Sequence, residues 1–161
     1  PTLSDWADLL TTIFPEARLK KFIEMRGADA GQWHRLCALP AFWVGICYDQ
    51  GSLDAAWDIV KNWDKNDREN FRIAAAEDGL NGNVGSLKLI DLAKETIRIS
   101  ENGLKKRAQA SSNGLYSDES LFLDSLKENI EKRKSSADDL LEKYHGSWNR
   151  DLTKIFEEYS Y

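Results

Sequence analysis

Three charged side chains, Glu24, Arg26 and Asp29, lie within six residues of one another in the segment FIEMRGADAGQW, residues 22–33. The segment that follows, residues 36–49, is almost entirely apolar. A carboxylate can bind a divalent cation, and a guanidinium can bind a phosphate or a carboxylate through two parallel hydrogen bonds. This group of charges at the edge of an apolar segment is therefore a candidate wall of a binding cleft.

The element that carries Glu24 and Arg26 is predicted to be extended. Residues 18–26 alternate between two faces with the period of a strand, so Glu24 and Arg26 share one face with their Cα atoms roughly 6.6 Å apart. On that face the two side chains can pair with charges on neighbouring strands, or they can line a cleft that binds a cation and an anion. Asp29 lies in a loop bracketed by glycines, where an aspartate can form an Asx turn or bind a ligand. The residues alone leave both interpretations open.

Helical periodicity dominates the rest of the chain, so we predict a mainly α fold with one strand near 18–26. The predicted helices cover 4–14, 40–48, 52–63, 66–79, 86–108, 118–134, 136–146 and 151–159. Pro40 either begins the second of these helices or kinks a longer one. A single strand leaves backbone groups unpaired on both edges. We therefore expect its partner strands in residues outside this chain, whose start, PTLSDW, has the character of a cut end.

Composition restricts the partners and the compartment. The net charge of −5 at pH 7 disfavours binding to nucleic acid or to an anionic membrane, so neither is expected as a partner. Cys37 and Cys47 lie in an apolar setting and could form a disulfide, but two buried, reduced thiols are the favoured interpretation. Reduced thiols lead us to expect a cytoplasmic location. The sequence contains no glycine-rich phosphate-binding motif.

Longer motifs add a family resemblance. The run LTTIFPEARLKKFIEMRGADAGQWHRLCALPAFWVGICYD, residues 10–49, resembles the glutamate–cysteine ligases of the plant and alphaproteobacterial type. The resemblance continues through residues 99–108 and 140–161, so it covers essentially the whole chain, which corresponds to the C-terminal part of such an enzyme. The chain departs from the family's usual G-A-D-G-G-P-W at Ala30 and Gln32.

The resemblance implies an ATP-dependent ligation, the first step of glutathione synthesis. ATP phosphorylates the γ-carboxylate of glutamate, and the amine of cysteine then displaces phosphate from the γ-glutamyl phosphate. In the family's E-M-R segment the resemblance assigns Glu24 as a Mg²⁺ ligand and Arg26 as the catalytic clamp on phosphate or substrate. It gives weaker support to Asp29 as a substrate-binding residue. The implied cofactors are Mg²⁺ and ATP.

The resemblance also implies the larger architecture. The strand near 18–26 would belong to the antiparallel sheet of a glutamine-synthetase-like α+β ligase. Residues 1–161 would form a single C-terminal region, in which 1–49 border the active site and 50–161 are helical. The expected partners are glutamate, cysteine, ATP and the missing N-terminal part of the enzyme, without which the chain is expected to be inactive. The alternative is a non-catalytic helical module that binds a protein partner through an exposed strand edge.

Overall fold

A computed structural model describes residues 1–28, 31–108 and 118–160. The chain divides into two compact units, Pro1–Ala30 and Gly31–Tyr161. Most described residues lie in helices, and the sheets contain only short antiparallel strands, so the prediction of a mainly α fold is confirmed. Among the described residues, none of the helices combines the length and apolar character that a bilayer span requires.

The first unit contains one helix and one β-hairpin. Helix α1 spans Leu3–Thr11 and begins with a capping box. In this box the Thr2 hydroxyl accepts a hydrogen bond from the Asp5 backbone, while the Asp5 carboxylate accepts one from the Thr2 backbone. These two reciprocal bonds satisfy backbone donors that a helix start leaves unpaired. The hairpin pairs strand β1, Ala17–Leu19, with strand β2, Ile23–Met25.

This hairpin replaces the single strand predicted across 18–26. The chain turns at residues 20–22, and Arg18 lies directly opposite Glu24 in the antiparallel register. The expectation that every partner of the strand lies outside the chain is therefore wrong, because residues 17–19 supply one. The alternation of residue types continues through the turn, which contains no glycine, proline or asparagine to mark it. Periodicity alone could not separate one strand from two.

The second unit is built from seven helices among its described residues. They are α2 Trp33–Cys47, α3 Gln50–Val60, α4 Lys65–Asp78, α5 Leu89–Arg107, α6 Asp124–Lys132, α7 Ser136–His145 and α8 Lys154–Glu158. Two 3₁₀ segments, Gly79–Asn81 and Glu119–Leu123, precede the hairpin and α6 respectively. The hairpin, of strands β3 Asn83–Val84 and β4 Leu87–Lys88, lies where sequence analysis placed a loop and the start of a helix. Gly85 takes a positive φ of 58° in its turn, a conformation that glycine adopts without strain.

The core of the second unit lies between α2 and α5. The sequence left open whether Pro40 begins a helix or kinks a longer one. Pro40 lies inside α2, so the longer helix is present. The buried core residues are Ala41, Ile90, Ile97, Leu104, Leu123 and Ile130. The two helices approach closely where Gly103 meets Gly45: a Cβ added to Gly103 would lie 1.8 Å from the Gly45 carbonyl oxygen. Only residues without side chains permit this approach.

Candidate functional site

The charged residues of the first hairpin form one compact cluster. The Arg18 guanidinium donates a hydrogen bond from Nε to Oε2 of Glu24 at 2.8 Å, and its Nη2 lies 2.7 Å from the same oxygen in an ion pair. On the other side, Nη1 of Arg26 lies 3.6 Å from that oxygen. Glu24 and Arg26 therefore do share one side of the hairpin, and Glu24 also pairs with a charge on the neighbouring strand. The cross-strand charge pairing considered from the sequence is therefore present, and the role of the two residues in a binding cleft stays a prediction.

Arg26 is held in place by its backbone and by a ring contact, and no described residue accepts a hydrogen bond from its guanidinium. Its backbone N–H donates to the Glu16 carbonyl at 2.7 Å, which extends the pairing of the hairpin past Met25. Its guanidinium lies over the Phe14 ring at 5.2 Å from the centroid, a cation–π contact. Within residues 1–28, 31–108 and 118–160, the guanidinium makes no side-chain hydrogen bond. Its planar fork is thus positioned but still able to donate to an anion.

The cluster carries one net positive charge, because two guanidinium groups flank a single carboxylate. The hydrogen bond from Arg18 is the main reason that the pKa of Glu24 is lowered; partial burial opposes it, and the charges of Arg18, Lys20 and Arg26 lower the pKa further. Glu24 is therefore ionised at neutral pH. Its second oxygen, Oε1, accepts no hydrogen bond from any described residue. The site consequently offers one carboxylate oxygen for a cation beside one guanidinium for an anion.

The donor set fits Mg²⁺ as a partial site. Among the described residues, no group of three or more His, Cys, Asp or Glu side chains is arranged to hold a metal. Protein-bound Mg²⁺ commonly takes only one or two carboxylates and completes its shell with water and phosphate oxygens. Glu24 could therefore serve as one ligand through Oε1, with the others coming from elsewhere.

Two further residues bear on the site, one predicted from the sequence and one not. Asp29 lies outside the described residues, so its assignment to substrate binding stays a prediction. Arg18 was not assigned any role, although it makes the shortest contact with Glu24. Arg18 could have been identified by its position six residues before Glu24. A three-residue turn between two strands places residues with that spacing directly opposite each other.

Both cysteines are free thiols, as favoured from the sequence. Cys37 is half-buried within α2, whereas Cys47, the last residue of that helix, is exposed. The prediction that both thiols are buried is therefore wrong for Cys47. An apolar neighbourhood in sequence did not establish burial, because Cys47 ends the helix at the surface.

Comparison with known proteins gives one consistent result. The family model described as glutamate–cysteine ligase family 2 matches residues 2–158. The chain is 42% identical over all 161 residues to the chloroplastic glutamate–cysteine ligases of Solanum lycopersicum and Nicotiana tabacum, and 40% identical to that of Arabidopsis thaliana. In each case the whole chain is covered but only 29% of the relative. The chain thus spans less than a third of the length of these relatives.

The names of these relatives contradict the cytoplasmic location predicted from the sequence. All three proteins are named as chloroplastic enzymes. The prediction depended on reduced thiols, and a reduced thiol does not distinguish the cytosol from another reducing compartment. Residues 1–161 offered no other evidence of location.

Proposed function

The chain belongs to glutamate–cysteine ligase family 2, and from that premise we propose that it is the C-terminal part of an ATP-dependent ligase. The complete enzyme would join the γ-carboxylate of glutamate to the amine of cysteine through a γ-glutamyl phosphate, in the first step of glutathione synthesis. Residues 1–49 would border its active site, and residues 50–161 would form a helical region. The chain alone would be inactive, because the rest of the enzyme supplies most of the nucleotide and metal site.

The observation that carries this proposal is the state of Arg26. Its guanidinium is stacked on Phe14 and anchored through its own backbone, yet its side-chain donors are not used by any described residue. A transferring phosphoryl group spreads negative charge over several oxygens, and a fixed guanidinium fork stabilises such charge without reorganising. Arg26 would therefore act as the clamp on the phosphoryl group or on the substrate carboxylate.

Glu24 would supply one Mg²⁺ ligand through Oε1. When bound, Mg²⁺ would neutralise charge on the nucleotide phosphates and orient them for transfer. The ionised carboxylate of Glu24 lies beside the Arg26 guanidinium, with Oε2 at 3.6 Å from Nη1. A cation bound by Glu24 would therefore lie close to an anion bound by Arg26. Asp29 would add a polar contact to the substrate.

The substitution Arg26→Lys in the complete ligase tests the clamp. Lysine keeps the positive charge but loses the planar, two-donor geometry, so we expect kcat/KM to fall about a hundredfold, equivalent to roughly 3 kcal/mol of transition-state stabilisation. The thermal melting temperature should stay unchanged, because a partly exposed ion pair at 3.6 Å contributes little to folding.

The matched control is Arg98→Lys, since Arg98 is an exposed arginine that pairs with Glu95 on the surface of α5. This control should keep full activity. Wild-type kcat/KM in the Arg26→Lys enzyme would rule out the clamp. Full activity in every variant of the cluster, together with binding of a protein partner by the hairpin, would favour the non-catalytic interaction module instead.

A further inference from the structure

Arg18 makes a different kind of contact from Arg26, although both flank the same carboxylate. Its Nε donates to Oε2 of Glu24 and its Nη2 forms an ion pair with the same oxygen, so this edge of its guanidinium is already engaged. Its side chain is also the least exposed of the three, at 21% against 28% for Arg26 and 33% for Glu24. Arg18 is therefore poorly suited to grip a substrate anion and well suited to hold Glu24.

The consequence for Glu24 is an asymmetric carboxylate. Oε2 accepts the hydrogen bond from Arg18 and is the nearer oxygen in both ion pairs, whereas no described residue donates a hydrogen bond to Oε1. A glutamate side chain has three rotatable bonds, and holding one oxygen by a hydrogen bond and a close ion pair restricts the direction of the other. Residues that orient a metal ligand in this way commonly change metal affinity by ten- to a hundredfold when they are replaced.

We propose that Arg18 is a positioning residue, which holds Oε2 of Glu24 so that Oε1 is presented to the divalent cation of the ligase. This inference rests on the proposed function, in which Glu24 is a Mg²⁺ ligand. It divides the two arginines of the cluster by role: Arg18 orients the metal ligand, and Arg26 binds the anion. Lys20 cannot replace Arg18, because it contributes only its charge and makes no hydrogen bond with Glu24.

Electrostatics and positioning predict opposite effects of removing Arg18. Arg18 carries a positive charge next to the carboxylate, so its removal should by charge alone make a cation bind more tightly. Loss of the anchor should instead let the carboxylate rotate and weaken cation binding. The sign of the change in metal affinity therefore decides between a residue that merely neutralises Glu24 and one that positions it.

The experiment measures Mn²⁺ binding to the complete ligase, because free Mn²⁺ gives an electron paramagnetic resonance signal that bound Mn²⁺ loses. We expect Arg18→Gln to raise the Mn²⁺ dissociation constant about tenfold. Arg18→Lys, which keeps one donor, should recover part of the affinity. Arg26→Lys should stay within about twofold of the wild type, since Arg26 makes only a loose contact with Glu24.

A swapped variant separates positioning from simple pairing. Arg18→Glu combined with Glu24→Arg keeps an oppositely charged cross-strand pair but moves the carboxylate to β1. We expect its thermal melt to resemble the wild type and its Mn²⁺ affinity to stay low. Wild-type affinity in the swapped variant would overturn the proposal, because it would show that only the pair matters.

The remaining outcomes distinguish this proposal from the function on which it rests. Unchanged or tighter Mn²⁺ binding in Arg18→Gln, with weaker binding in Glu24→Gln, would overturn the positioning role and leave Glu24 as a ligand. Unchanged Mn²⁺ binding in Glu24→Gln would remove Glu24 from the metal site and overturn both. If Arg18→Gln does not fold, the comparison of Arg18→Lys with the swapped variant gives the same decision.

Discussion

The close contact between α2 and α5 gives a sharp prediction for Gly103→Ala. The added Cβ would lie 1.8 Å from the Gly45 carbonyl oxygen, whereas ordinary contact begins at 3.4 Å. The opposing atom belongs to the backbone of α2, so no side chain can rotate away. Helices α2 and α5 would have to separate by about 1.6 Å in a core that is packed like a crystal.

The cost follows from the contacts that such a separation breaks. The Ser100 hydroxyl of α5 donates to the Phe42 carbonyl of α2 at 2.9 Å. The added Cβ would also lie 2.9 Å from the hydroxyl oxygen of Ser52 in α3, which donates to the Ile99 carbonyl of α5 at 3.2 Å and would be displaced. Both serines are buried, so losing each bond costs about 1–3 kcal/mol. Alanine recovers only about 1 kcal/mol through its better helix propensity. The net expectation is a loss of about 1–5 kcal/mol in the free energy of unfolding.

Thermal and urea unfolding followed by far-ultraviolet circular dichroism measures this loss. For a chain of this size the melting temperature should fall by about 2–20 °C. Gly51→Ala is the matched control, because Gly51 also lies in a helix but its added Cβ would meet only the Lys106 and Asp49 side chains, at 3.1 and 3.4 Å. That control should keep or slightly raise the melting temperature. A Gly103→Ala protein as stable as the control would refute the close contact.

Two further predictions concern the ends of helices. Glu158 accepts hydrogen bonds from Lys143 and from the Trp148 indole, and the bond from Lys143 is the main reason that its pKa is lowered. Its stabilising effect is complete above the ordinary glutamate pKa and is lost as pH falls through the lowered value, so Trp148 fluorescence should change on acidification and Glu158→Gln should abolish that step. Asp64 forms a capping box with Asp67 at the start of α4, so Asp64→Ala should lower the free energy of unfolding by about 1 kcal/mol in urea titrations, and an unchanged midpoint would contradict the cap.

The helices were predictable because their signals are local. Apolar spacing located α3, α5 and α7, and glycines marked two ends: Gly79 follows α4 and Gly146 follows α7. The start of α2 was not predictable, because Pro40 is typical of a first turn and yet lies in the middle of this helix. The contact of Gly45 with Gly103 was beyond prediction for a different reason. It depends on which helices pack together, and the two glycines lie far apart in the sequence, one in α2 and the other in α5.

The candidate site was predictable in part, and the missing part depends on one turn. Glu24 and Arg26 share a face whether they lie on a long strand or a short one, because side chains two apart always do. Arg18 reaches Glu24 only because the chain reverses over three residues, 20–22, and a register shifted by one residue would move one partner to the opposite face. The same turn places Arg18, to which the sequence assigned no role, in the closest contact of the cluster. Loop length, which periodicity does not encode, therefore determines whether Glu24 is a loose surface carboxylate or one with a fixed orientation.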